Sequence, residues 1–299
     1  MTADRLGEIA ALGTSVLWAL TYVQFTFAVR RFGAVRLNRL RLLIALALLG
    51  AAHLVLYRSP FPLHAELWRW GWLGLSGVVG FAVCDTMLFS ALLHLGAHRT
   101  SLFMALIPLV SALLAWVTFG ERLGWLTILG GFTTIGGIAT VIGAREDHTG
   151  RRFRLRWVGV WFALGAVLAQ SLRYILSKKG LTGGFPVASV QVIQILVATV
   201  VAWIPAIARG TALGDFALLR DSAGLCPTVG GAVTGPFLGG LLSLVALSMA
   251  PVGIASTLIA LSPVSLLFLG YWAFGEKITV RAVVGTILAV IGVSILFLS

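Results

Sequence analysis

ALIPLVSALLAWVTFGER, residues 105–122, returns as ALSPVSLLFLGYWAFGEK at 260–277. Ala105-Leu-Ile-Pro108 is echoed by Ala260-Leu-Ser-Pro263, and Phe119-Gly-Glu121-Arg122 by Phe274-Gly-Glu276-Lys277, both 155 residues on. The same displacement pairs Ser101 with Ser256, Gly130 with Gly285 and Gly137 with Gly292. Nearer the N-terminus the displacement is 152, and Gly7, Ala11-Leu-Gly13, Leu20 and Tyr22 meet Gly159, Ala163-Leu-Gly165, Leu172 and Tyr174. Self-similarity at a fixed period takes precedence over any single motif. The chain reads as a duplication.

Hydrophobic residues fill 59% of 299 positions and charged residues 11%, against roughly half and a quarter in soluble domains. The apolar runs reach about twenty residues, enough to cross about 30 Å of hydrocarbon at 1.5 Å per residue. Ten spans are expected, at 6–29, 38–57, 70–93, 99–119, 124–143, 157–178, 187–207, 225–248, 253–274 and 280–298. The first is too long for a signal-peptide core and is read as a retained helix. Longer connections lie at 58–69, 144–156 (AREDHTGRRFRLR) and 208–224. The fold class expected is an all-α membrane protein, with one five-helix repeat at 1–143, a charged linker at 144–156 and a second repeat at 157–299. Five is odd, so the second repeat enters the membrane from the opposite side. Inverted repeats of this kind are a secondary-transporter architecture that binds substrate near the midplane, between the halves.

The formal charge of +12 resides in short loops between apolar runs, which makes it a topology signal rather than a nucleic-acid surface. Cys84 and Cys226 lie in or beside apolar segments and have neither disulfide-framework nor metal spacing. His94 and His98 are four apart at a membrane exit without a third ligand, so no metal site is expected. No phosphate-binding loop, His-Glu-x-x-His or Gly-x-Ser-x-Gly occurs. No cofactor is expected, and ATP-driven transport would need another subunit.

The 5+5 layout, the Trp18-Ala19 pair, Arg41 at the opening of the second span and the doubled Pro…Gly-Glu-Arg/Lys signature resemble the EamA family of the drug/metabolite transporter superfamily over nearly the full length. The resemblance implies a ten-helix carrier, often an exporter of amino acids or other metabolites, with a central cavity between its halves. It leaves the substrate open. It also implies cytoplasmic termini, which the charge count opposes. Six Lys and Arg residues (Arg5, Arg58, Arg69, Arg122, Lys178, Lys179) flank even-numbered spans and the N-terminus, while fifteen, including Arg30, Arg31, Arg36, Arg39, Arg41, Arg99 and the linker arginines, follow odd-numbered ones. Basic loops favour the cytoplasm. The count places the linker inside and both termini outside a bacterial-type inner membrane.

Asp85, in Phe81-Ala-Val-Cys-Asp85-Thr-Met-Leu-Phe89, is the outstanding candidate. A carboxylate at such depth costs about 2.5–3.5 kcal/mol on insertion scales and commonly serves transport or proton coupling. The structural alternative is an Asp satisfied by a neighbouring hydroxyl such as Thr86. Arg173 lies in the sixth span, about 9 Å from its end. It is expected about 10 Å from Asp85 in depth, where the two could grip opposite ends of a zwitterion; otherwise it snorkels to headgroups. Tyr22 and Tyr174 could line a cavity or simply pack. Asn38 and Arg41 match Gln191 and Gln194 at a displacement of 153, so each half presents a polar pair on one helix face, which either faces a cavity entrance or satisfies loop backbone. Trp18 and Gln170, also equivalent by the repeat, complete the substrate or coupling candidates. Pro108 and Pro263 interrupt apolar helices and are hinge candidates or static bends. Glu121 and Glu276 end the fourth and ninth spans and read as structural helix-end residues.

The function expected is a secondary transporter, an exporter of a small polar metabolite such as an amino acid by alternating access, with protons as a candidate coupling ion. The alternatives are a channel, a non-transporting receptor or, least favoured, a membrane enzyme acting on lipid-linked substrates. The partners expected are a small-molecule substrate and the bilayer, and no nucleic acid.

Overall fold

A computed structural model describes residues 3–119, 124–142, 156–183, 185–249, 258–259, 261–275 and 278–297. Among them no strand occurs. The first half contains α1 (Ala3–Phe32), α2 (Ala34–Tyr57), α3 (Leu67–Gly77), α4 (Asp85–Leu95), α5 (Ala97–Met104), α6 (Ile107–Phe119) and α7 (Trp125–Ile142). The second contains α8 (Trp157–Gly180), α9 (Val187–Ala208), α10 (Ala212–Ala217), α11 (Ser222–Ala232), α12 (Gly240–Met249), α13 (Ser262–Phe274) and α14 (Val280–Phe297). Among the described residues, seven helical stretches are long and apolar enough to cross a membrane, and Trp125–Val141, Ser262–Phe274 and Val280–Ile295 are shorter apolar helices. Polar residues fit these helices because their hydroxyls return to carbonyls one turn back, as Thr14 does to Ala10 (2.8 Å), Thr134 to Gly130 (2.8 Å) and Thr286 to Ala282 (2.6 Å).

Four expectations change. The stretch 99–119 is not one helix: α5 and α6 are separated by a turn in which the Ala105 and Leu106 amides donate to Leu102 and Phe103, each at 3.0 Å. Pro108 and Pro263 do not bend helix interiors. Each is the second residue of its helix, α6 or α13, where a missing N–H loses no hydrogen bond. The connection 208–224 contains α10. Arg39, Arg41, Arg69 and Arg99 are buried in helices rather than displayed in loops.

Two π-helical segments interrupt the third and eighth spans. Val78–Cys84 joins α3 to α4, and Val233–Gly239 joins α11 to α12. They lie 155 residues apart, and in each the amide that leaves the segment returns five residues, from Asp85 to Gly80 and from Gly240 to Gly235. A wide turn loosens its carbonyls, and a side chain from the preceding span takes one of them in each half. Asn38 Nδ2 donates to the Phe81 carbonyl at 2.8 Å, and Gln191 Nε2 to the Pro236 carbonyl at 2.9 Å.

The helices pack in crossed pairs. α2 lies on α9 and α7 on α14, whereas α1 lies on the α11–α12 stretch and α8 on the α3–α4 stretch. The first helix of each half therefore rests on the third span of the other. At one end, charges fasten the halves: Arg31 pairs with Asp221 at 2.7 Å, and the buried Asp215 takes Arg39 at 2.7 Å and Arg36 at 3.4 Å.

Candidate functional site

Phe81 is the middle residue of the apolar stretch Leu67–Leu95, and two arginines from opposite halves lie over its ring. The guanidinium carbon of Arg41 is 5.7 Å from the ring centroid and that of Arg173 is 4.1 Å away. Such contacts are worth about 0.5–2 kcal/mol, more where water is excluded. They do not replace a counter-ion.

Arg41 has one. It is ion-paired to Asp85, 44 positions along the chain, and the two side chains are 3% and 16% exposed. Its Nε donates to Asn38 Oδ1 at 3.0 Å, and its guanidinium also lies 5.5 Å from the Phe89 ring centroid. Asn38 is thus a two-sided brace. Its oxygen orients Arg41 while its amide reaches the Phe81 and Ala82 carbonyls (2.8 and 3.2 Å) and Thr86 Oγ1 (2.9 Å). Thr86 itself donates to the Ala82 carbonyl at 2.7 Å. The partner of Asp85 is consequently Arg41 and not Thr86, and Asn38 and Arg41 belong to the interior rather than to a loop or entrance.

Arg173 is arranged differently. Its terminal nitrogen donates to Gln194 Oε1 at 3.2 Å. Gln194 is held in turn by donating to Ser76 Oγ at 3.0 Å and Ser177 Oγ at 2.8 Å, and both hydroxyls reach the Arg173 carbonyl. The Tyr174 ring lies 5.8 Å from the guanidinium. Among the described residues Arg173 forms no salt bridge, although Asp85 lies within electrostatic range of it, and its Nε is buried without a hydrogen bond. The side chain fits because Gly80 has none: a methyl group there would strike Arg173 Cδ. At the equivalent place in the other half Gly235 faces Thr21, the repeat counterpart of Arg173, and a β-carbon there would stand 2.8 Å from Thr21 Cγ2.

The Arg173 guanidinium thus turns to Phe81, beside Arg41, and makes no salt bridge with Asp85. Around these side chains, Gln170 Oε1 accepts from Cys84 Sγ at 3.6 Å, and Trp18 Cε2 stands 3.8 Å from the β-position of Gly239. Tyr22 packs in the core beside Phe89 and lies within electrostatic range of Asp85 and Tyr174. Tyr174 is half exposed. Gln191 braces the second π segment and also faces Gly240, the repeat counterpart of Asp85. Pro108 and Pro263 are in α6 and α13, away from these contacts, and Glu121 and Glu276 lie outside the described residues.

Reading the sequence alone missed Phe81, Gly80, Ser76 and Ser177. Two signals were available: Phe81 and Phe89 flank Asp85 by four residues each, and Ser177 follows Arg173 by four, which puts neighbours on one helix face. Ser76 and Gly80 carry no such mark.

The sequence matches the model of the EamA-like transporter family twice, over residues 5–143 and 157–298. A protein of Streptantibioticus cattleyicolor described as "Probable terminal-alkyne amino-acid exporter" is 28% identical over 288 residues, which cover 95% of this chain and 90% of that protein. A solved structure described only as "Crystal structure of protein" is alike in fold, with a TM-score of 0.61 at 18% identity, covering 98% of this chain and 96% of the other. The apolar helices and the two family matches lead to one conclusion: this chain belongs to the EamA-like transporter family and is a multi-pass membrane transporter rather than an enzyme.

Proposed function

We propose that the protein exports a small polar metabolite of the amino-acid class by alternating access. In this reading ten spanning helices form two inverted five-helix repeats, 1–143 and 157–299, joined by a cytoplasmic linker at 144–156 in an inner membrane. The observation that carries the reading is the layer around Phe81, where α2 and α4 of the first half supply Arg41 and Asp85 while α8 and α9 of the second supply Arg173 and Gln194. A polar layer shared between repeats near the middle of the spans is where inverted-repeat carriers bind substrate. The crossed packing and the matching brace hydrogen bonds support the pseudo-two-fold relation, and the relative described as an amino-acid exporter supports the substrate class and the direction.

Rocking one half against the other would open this layer to each side in turn. Phe81, Tyr22 and Tyr174 supply apolar and aromatic walls, with Trp18, Gln170 and Gln191 beside them. Protons are a candidate coupling ion through Asp85, whose protonation would free Arg41. Proteoliposomes loaded with unlabelled amino acids test the function: saturable counterflow of a labelled amino acid is expected, while substrate-independent ion conductance would favour a pore. Transport that ignores a pH gradient and survives Asp85→Asn would remove the coupling part.

A further inference from the structure

We propose that Arg173 is the docking point for a carboxylate on the transported solute, and that Asp85 is reserved for Arg41. This rests on the carrier reading above and narrows its substrate. Among the described residues the layer holds two guanidiniums, which stay protonated, and one carboxylate. Asp85 is ion-paired to Arg41, whose Nε is fixed by Asn38. Arg173 feels Asp85 only from beyond salt-bridge distance and is left with an amide oxygen, two aromatic rings and a buried Nε that bonds to nothing. A charge without a salt-bridge partner in a membrane interior is costly. An anionic group removes that cost, and the planar fork of arginine matches a carboxylate in two-point geometry.

Two observations separate this from a structural role. The guanidinium lies over the mid-span residue Phe81, about 20 Å of helix rise from either end of that stretch, beyond the reach of a headgroup phosphate. The other half builds the same crossing without a charge, since Thr21 packs there against Gly235 and is hydrogen-bonded to Thr234 at 2.8 Å. The scaffold does not need an arginine at this position. An ammonium group, by contrast, finds no free carboxylate in the layer, because Arg41 already occupies Asp85.

The test uses the purified full chain with matched probes: an α-amino acid, its deaminated carboxylate, its amide and its decarboxylated amine. Thermal-shift titration is expected to give binding of both carboxylates, with the amide and the amine at least about tenfold weaker, the scale of a lost charge-assisted hydrogen bond. Arg173→Gln should abolish that preference and Arg173→Lys should keep part of it, both variants first being checked for a cooperative ligand-free melt. Stabilisation by amine or amide as strong as by acid, an unchanged preference in Arg173→Gln, or stabilisation only by vesicles of anionic lipid would each overturn the assignment. Counterflow measured on the same probes keeps the two readings apart. Transport of amines alone sinks the carboxylate site and leaves the carrier, whereas Arg173-dependent binding of carboxylates without counterflow sinks the carrier and leaves the site.

Discussion

Arg41 and Asp85 form a buried ion pair whose members are each costly without the other. Removing one partner of such a pair typically costs about 3–5 kcal/mol, while replacing both with neutral groups is often close to neutral. Arg41→Gln and Asp85→Asn should therefore each lower the unfolding midpoint in detergent markedly, and the double variant should recover most of the loss. Additive losses would mean that the pair contributes nothing as a pair. Asp85 was legible in the sequence because a carboxylate in the middle of a long apolar run has few explanations. Its partner was not. α2 is apolar over much of its circumference, so its sequence does not say which face turns inward, and the residue that answers Asp85 is 44 positions away. Arg173 was legible as an intramembrane charge, but its direction was not, because that is set by Gly80 and Phe81 on another span.

At the scale of elements, glycines set how closely helices approach. α7 and α14 meet backbone to backbone: a β-carbon on Gly137 would stand 2.5 Å from the Gly285 carbonyl, one on Gly285 would stand 2.6 Å from the Gly137 carbonyl, and one on Gly292 would stand 2.6 Å from the Gly130 carbonyl. These are the residues that the 155-residue displacement pairs, 130 with 285 and 137 with 292, although the displacement itself does not say that they touch. Gly136, next along α7, faces open space. Gly137→Ala should cost about 1–3 kcal/mol through overpacking, whereas Gly136→Ala should be neutral or stabilise by about 0.5–1 kcal/mol through backbone entropy. Thermal unfolding of the two neighbouring variants checks this directly, and equal effects would remove the close-approach argument. The π segments were not legible, since nothing in VVGFAVC or VTGPFLG signals a wide turn. The prolines misled for a related reason: an apolar run with a proline reads as a kinked helix, and only the broken ladder at 105–106 identifies Pro108 as a helix start.

At the scale of the molecule, one face is fastened by charge and that face also bears on orientation. The Asp221 carboxyl is held below its ordinary value because Arg31 hydrogen-bonds it and adds a favourable charge, against a smaller opposing effect of burial. A lowered folded-state value means that the contribution is complete above the unfolded value and disappears as pH falls through the folded one. Asp221→Asn should therefore melt below the parent at neutral pH and together with it well below the ordinary aspartate value of about 3.9; a gap that persists in acid would mean that the residue acts through something other than this pair. The sequence count assigns most of the basic residues to the same side as Arg31. Taking the buried Arg39, Arg41 and Arg99 from the fifteen, and the buried Arg69 from the six, leaves twelve against five. The structure thus trims the imbalance without reversing it, and the acids that pair with Arg31, Arg36 and Arg39 do not alter it, because orientation follows lysine and arginine rather than net charge. A reporter that is active only outside the cytoplasm, fused after Ser299, should accordingly be active, and one placed within 144–156 should be silent. The opposite pattern would show that the cationic face is external.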